Sequence, residues 1–200
     1  GNVITFLMEY EHYTFPEALQ ALADRAGIEL PKQQESAEAR KQADLRSRIL
    51  EVNREAGKYF YYQMKQPNGK RAYEYLTGRG LSDETIRHFG LGYSNLYRDD
   101  LYQYLHKKKG YSDELLKETG LVKIEEKETH DRFWNRVMFP IMDVNGRIIG
   151  FGGRVMGDGE PKYLNSPETK AFDKSRNLYG LNYARTARRS YMLICEGYMD

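Results

Sequence analysis

Two carboxylates near the end of this chain, Glu196 and Asp200, stand four residues apart on a turn that also carries Gly197 and Tyr198. The run Tyr191-Met-Leu-Ile194 directly before them reads as a short buried strand, which would deliver the carboxylates to its own C-terminal edge. Ligands sit at that edge in open α/β sheets, and a carboxylate pair at this spacing could share a divalent cation. Upstream, between residues 132 and 176, basic side chains crowd together: Arg132, Arg136, Arg147, Arg154, Lys162, Lys174 and Arg176. Arginine suits bidentate and lysine point-charge contacts, so this stretch could line a phosphate track. The alternative is an ordinary solvated sheet face.

The elements that must position these groups begin with a hairpin. Val137 to Val144, then Asn145-Gly146, then Arg147 to Val155 predicts two strands joined by a type I′ turn, because Asn-Gly accepts positive φ at both central positions. Pro140 belongs on an edge or at a bulge, since it has no N–H to give to a ladder. Gly150, Gly152 and Gly153 strip one strand of side chains, so another backbone or a ligand could approach there. A twisted strand beneath a helix is the alternative. Pro161 to Thr169 reads as a loop ordered by turn chemistry.

Earlier in the chain the signals are helical. Val3 to Met8 predicts a short helix that wants a partner surface. Thr14-Phe-Pro-Glu17 is a capping box that opens a second helix, which Gly27 stops. Lys32 to Ala43 holds no large apolar residue and marks a linker or a helix exposed all round, with a domain boundary. Leu45, Ile49, Val52, Ala56 and Tyr59/Phe60 then predict a long amphipathic helix to about Gln66, its aromatic end packed in the core rather than stacking bases. Residues 80–91 and 110–121 repeat one pattern, with Ser82 and Ser112 as N-caps and Gly90 and Gly120 as stops. His106-Lys-Lys-Lys109 between them reads as a solvated helix face, with a phosphate-contacting edge as the alternative.

Of the 200 residues, 31 are basic and 29 acidic, so the net charge of +2 says little about partners. One cysteine excludes a disulfide framework within the chain and cannot make a zinc site alone; Cys195, inside the apolar run, is expected to be buried. No apolar run approaches the length of about 18 residues that a membrane span needs, and no signal peptide is evident. A cytoplasmic protein whose two ends look like cuts is expected.

The residue blocks Arg136-Val-Met-Phe-Pro-Ile141, Gly150-Phe-Gly-Gly-Arg154, Pro161-Lys-Tyr-Leu-Asn-Ser-Pro-Glu-Thr169, Asn177-Leu-Tyr-Gly180 and Glu196-Gly-Tyr-Met-Asp200 resemble, in order and separation, those of the bacterial DNA primases. Tyr75-Leu with Arg79-Gly-Leu, Thr85-Ile and Phe89-Gly-Leu-Gly-Tyr93 resembles the opening of the primase polymerase domain. Asn2 to Leu30 is similar to the segment after that family's zinc-ribbon cysteines. The resemblance covers essentially the whole chain.

It implies an α+β fold: a helical N-terminal segment, a mixed subdomain with a β-hairpin and twisted sheet, and the first strand of a truncated Toprim α/β domain. The implied division is 1–31, the helical tail of a zinc module; 32–43, a linker; 44–185, the N-terminal subdomain of the RNA polymerase domain; and 186–200, the start of Toprim. Glu196 becomes the catalytic glutamate, and Glu196 and Asp200 become ligands of Mg²⁺ or Mn²⁺. Arg132, Arg136, Arg154, Lys162, Asn165, Lys174 and Tyr198 become contacts to nucleic-acid or nucleotide phosphates.

The implied activity is the synthesis of short RNA primers from ribonucleoside triphosphates on single-stranded DNA. A replicative helicase would dock on a C-terminal domain absent here, and zinc would belong only to the missing upstream module. The chain alone is expected to be inactive, because further Toprim aspartates are absent. Trp134 departs from the pattern, since the family can carry a basic residue there. The rival readings are a non-catalytic single-stranded nucleic-acid-binding module and a Toprim topoisomerase or nuclease fragment.

Overall fold

The computed structural model describes residues 2–11, 13–30, 37–126 and 128–199. Residues 32–36 of the expected linker, Pro31 before it, and the carboxylate Asp200 lie outside the described residues. The chain divides into two compact units, 1–43 and 44–200.

The first unit holds α1 (Val3–Tyr10) and α2 (Phe15–Ala26). The capping box forms as the sequence predicts: the Thr14 N–H donates to Glu17 Oε2 at 2.9 Å and the Glu17 N–H to Thr14 Oγ1 at 3.4 Å. Gly27, at φ +65°, stops α2. No described residue of α1 is buried, and Phe6 and Tyr10 stack on its surface with centroids 5.2 Å apart.

Helix α3 (Ala37–Met64) starts as an exposed helix over residues 37–43, the second of the two forms expected of that polar stretch. Further along, Ile49, Val52, Ala56 and Phe60 recur at three and four and are almost wholly buried. Burying a side chain of this size stabilises by roughly 1.5–3 kcal/mol, so this stripe anchors the second unit. There follow α4 (Lys70–Gly78), α5 (Asp83–His88), β1 (Gly92–Ser94), α6 (Asp100–Tyr102), which runs on as a π-helical turn Gln103–Lys108, and α7 (Asp113–Thr119). Ser82 and Ser112 cap α5 and α7 as predicted, accepting from Thr85 N–H at 3.1 Å and Leu115 N–H at 3.4 Å. Within the basic run, Lys107 and Lys108 are solvated, but Lys109 turns back onto Glu55 at 2.8 Å.

The remaining elements are β2 (Val122–Ile124), β3 (Thr129–Asp131), β4 (Arg136–Met142), β5 (Ile148–Val155), β6 (Tyr163–Asn165) and α8 (Leu181–Ala184). Strands β1-β4-β5-β6 form an antiparallel sheet in that order, and β2 and β3 pair separately. The sheet is covered on both sides. Phe151 faces α3, meeting Phe60 edge-on at 5.3 Å, while Val137 and Phe139 pack with Ala72, Leu76 and Ile86 from α4 and α5. Pro140 lies past β1, which reaches only Met138, and beside the register shift at Ile141/Met142, in keeping with the edge-or-bulge expectation.

Several expectations are corrected. The hairpin turn is not type I′: Gly146 has φ +76° but Asn145 does not have positive φ. Instead the Gly146 N–H donates to Asp143 O at 2.9 Å, and Asp143 Oδ1 accepts from the N–H groups of Asn145 and Arg147, both at 3.0 Å. This is a type I turn followed by a left-handed glycine, chosen because the aspartate carboxylate gathers the turn's donors. Residues 163–165, expected as loop, form strand β6. Tyr191 to Ile194, expected as a buried strand, have no regular structure and are 54–84% exposed, because a strand needs a neighbour and no described residue pairs with them. Cys195, expected to be buried, is exposed with them.

Candidate nucleic-acid interface

The antiparallel register brings two of the candidate residues, Arg154 and Asn165, to one sheet face. Gly152 pairs with Asn165 and Arg154 with Tyr163, and paired residues point to the same side. Because Gly152 has no side chain, Tyr198 lies directly on it: a Cβ there would be 2.5 Å from the phenol ring. The close approach at Gly152 is therefore made by an aromatic ring, while the same strand also packs beneath α3 through Phe151, as the alternative reading expected. Tyr198 stacks on Phe139 with centroids 5.0 Å apart, meets Tyr179 edge-on at 4.8 Å, and donates its hydroxyl hydrogen to Asn165 Oδ1 at 2.7 Å. Burial pushes its phenol pKa up to about 12.

Asn165 links this ring to a cation. Its carbonyl points away from β5, at the sheet edge, and accepts from Arg132 Nε at 3.1 Å and Nη2 at 3.0 Å. Asn165 therefore ties Arg132 to Tyr198 through its backbone and side chain. Arg154, half-buried, lies 4.3 Å over the ring of Tyr75 and donates to Val155 O at 3.0 Å. Lys162 is exposed immediately before β6. Lys174 is exposed on the turn 174–176, where its backbone N–H donates to Glu168 Oε1 at 3.0 Å.

Arg136 differs from the others. It is 5% exposed, and its Nη1 donates to Gly153 O at 3.1 Å and Pro161 O at 2.9 Å. Its position in β4 shares parity with Met138, so it faces α3 and braces the loop before β6. Desolvation lowers the pKa of both Arg132 and Arg136, with the neighbouring Arg132 adding to the effect on Arg136, and both remain cations.

Glu196 is exposed and lines a groove of about 630 Å³ with Tyr163, Asn165, Tyr179 and Tyr198. The acidic turn and the Asn165 side chain thus come together, whereas none of the candidate cations Arg132, Arg136, Arg154, Lys162 and Lys174 is among the described lining residues. Among the described residues Glu196 is the one carboxylate there, and no three His, Cys, Asp or Glu side chains cluster. The described donors do not complete a divalent-metal site. Sequence reasoning missed the ring neighbours Tyr75, Tyr163 and Tyr179; an aromatic content of 13% was the available signal.

Together these features describe an α+β domain with an aromatic-lined sheet face beside an acidic turn, with Arg132 at the edge of that sheet and Arg154 on it. A family model for the DNA primase catalytic core, N-terminal domain, matches residues 59–185, and the chain belongs to the bacterial DNA primase family. It is 43% identical over 203 residues to the DNA primase of Clostridium acetobutylicum and 45% identical over 204 residues to that of Deinococcus radiodurans. These alignments cover 100% of this chain but 33% and 34% of the relatives, so it spans about a third of their length. A solved DnaG primase catalytic domain bound to ssDNA has TM-score 0.72 and 39% identity, covering 78% of this chain and 51% of that one. The RNA polymerase domain of Mycobacterium tuberculosis primase DnaG, in complex with a double-stranded DNA oligomer with a 6-nucleotide overhang, has TM-score 0.66 and 32% identity, covering 70% and 44% respectively. No described helix is long and apolar enough to cross a membrane.

Proposed function

We propose that this chain supplies the phosphate-facing wall of a primase RNA polymerase domain, holding single-stranded DNA template and ribonucleoside triphosphates while primers are made. The observation that carries this reading is the link Arg132–Asn165–Tyr198, which ties a desolvated arginine, through Asn165, to a fixed aromatic ring of the groove that Glu196 lines. Arg132, Arg154, Lys162 and Lys174 attract and orient phosphates, and Asn165 and Tyr198 hold the wall in shape. Arg136 is a bracing group in this account, because both carbonyls it serves are internal.

In the division we propose, 1–31 is the helical tail of a zinc module, 32–43 a connecting stretch that includes the exposed start of α3, 44–185 the N-terminal subdomain and 186–200 the opening of the Toprim part. Glu196 and Asp200 belong to a donor set for Mg²⁺ or Mn²⁺ that needs further carboxylates, and such an ion neutralises phosphate charge when bound. A helicase partner and a cytoplasmic setting follow from the family reading. The 200 residues alone are expected to make no primers; primers appearing in a template-directed synthesis assay would overturn that part.

The wall is tested by the salt dependence of affinity for single-stranded DNA. On single strands the slope of log K against log salt changes by about 0.7 per phosphate contact, so Lys162→Ala with Arg154→Ala should make it shallower by about 1.4. An unchanged affinity and slope would refute the wall.

A further inference from the structure

Trp134 is the single tryptophan of the chain, and it is 40% exposed between Phe133, which is fully buried, and Asn135. The chain is turned there by Asn135, which at φ +51° is the one non-glycine residue with positive φ among the described residues. This costly conformation is clamped on every polar group of the residue. Its N–H donates to Asn95 O at 2.7 Å and its carbonyl accepts from Met156 N–H at 2.9 Å. Its Nδ2 donates to Met156 O at 2.8 Å, and its Oδ1 accepts from the Tyr93 hydroxyl at 3.2 Å. Strain held this firmly, at a position that turns a large ring outward, points to use.

Two further observations give that use a chemistry. The Arg98 guanidinium lies 5.5 Å from the indole centroid, so a cation already accompanies the ring. Two residues earlier, Arg132 stands at the sheet edge on Asn165 O, within the phosphate-facing wall. An exposed aromatic ring with an arginine beside it, two residues along the chain from a cation of the proposed wall, is an arrangement that holds unpaired bases, because every base offers a π-face whatever its identity. A phosphate contact would need a cation where Trp134 stands.

We propose that Trp134, with Arg98, is a base-stacking platform that extends the single-stranded DNA path past Arg132. The inference rests on the proposed DNA-binding wall, and it is tested so that the two fail separately. The full chain is titrated with oligo(dT) and with an abasic strand of equal length, following both the anisotropy of an end label and the fluorescence of Trp134. Oligo(dT) should quench the indole and the abasic strand should bind without quenching. Trp134→Ala should weaken oligo(dT) binding on the order of tenfold at unchanged salt slope, and Trp134→Phe should restore most of it. Binding that persists without quenching, with Trp134→Ala at wild-type affinity, overturns the platform and leaves the wall standing. Equal quenching by the abasic strand also overturns it. No binding of either strand at low salt overturns both.

Discussion

Replacing Gly152 by alanine should distort the candidate interface through one ring. The new methyl carbon would sit 2.5 Å from Tyr198 Cζ and 2.6 Å from its Cε2 and hydroxyl oxygen, well inside van der Waals contact. The ring cannot step aside cheaply, because Phe139 stacks on it at 5.0 Å, Tyr179 meets it at 4.8 Å and Asn165 holds its hydroxyl at 2.7 Å. Overpacking of this kind costs about 1–3 kcal/mol, and breaking the hydroxyl bond costs about 0.5–1.5 more, so a loss of roughly 2–4 kcal/mol is expected. Backbone geometry adds nothing, since the φ of Gly152 is one that alanine can adopt. Where the ring is absent, the same change should stabilise by about 0.4–1 kcal/mol, because alanine restricts the unfolded chain more than glycine does. Urea denaturation of wild type, Gly152→Ala, Tyr198→Ala and the double variant closes the cycle. A coupling of at least about 2 kcal/mol is expected. If Gly152→Ala costs the same with and without Tyr198, the ring is not what the glycine accommodates.

Two further outcomes follow from local geometry. Lys109 and then Lys58, by hydrogen bonding, hold the Glu55 carboxyl at about 2, below its usual 4.5. The unfolded chain therefore binds more protons at Glu55 between those values, so its stabilising contribution is present above about pH 4.5 and is lost as pH falls towards 2. Glu55→Gln should flatten that acid limb in urea midpoints taken at pH 6 and pH 3, and an unchanged limb would rule out Glu55 as its source. Ser82→Ala should cost about 1 kcal/mol, and Ser112→Ala less. The Ser82 cap bond is 3.1 Å and that of Ser112 is 3.4 Å, so equal or reversed losses in chemical denaturation would count against cap geometry as the cause.

What the sequence made legible was whatever depends on neighbours in the chain. Thr14 with Glu17, and the serines before α5 and α7, act within one helical turn, so residue type and spacing were sufficient. The β4–β5 hairpin was legible too, but not its turn, because the carboxylate of Asp143 competes with the backbone preference of Asn145. Strands β1, β2, β3 and β6 have three residues each, too few for an alternation to show. Arg136 and Arg154 looked alike as cations in paired strands, yet strand parity sends one inward to two carbonyls and leaves the other over Tyr75. Tyr191 to Ile194 carried a strand composition without a strand partner, and composition alone cannot supply one. The link from Arg132 through Asn165 to Tyr198 joins residues 33 apart on each side, which no local pattern encodes.

The sheet's outer strands have a consequence for how this protein behaves at high concentration. A long unpaired strand edge is a template for other chains, and folded proteins avoid aggregation by shortening or blocking it. Here the two outer strands, β1 and β6, are three residues each, and the outward carbonyl of Asn165 on β6 is occupied by the guanidinium of Arg132. The arginine assigned to the phosphate wall is thus also a stopper on the sheet, and a substitution chosen to weaken DNA binding at that position would uncover an edge open to self-association.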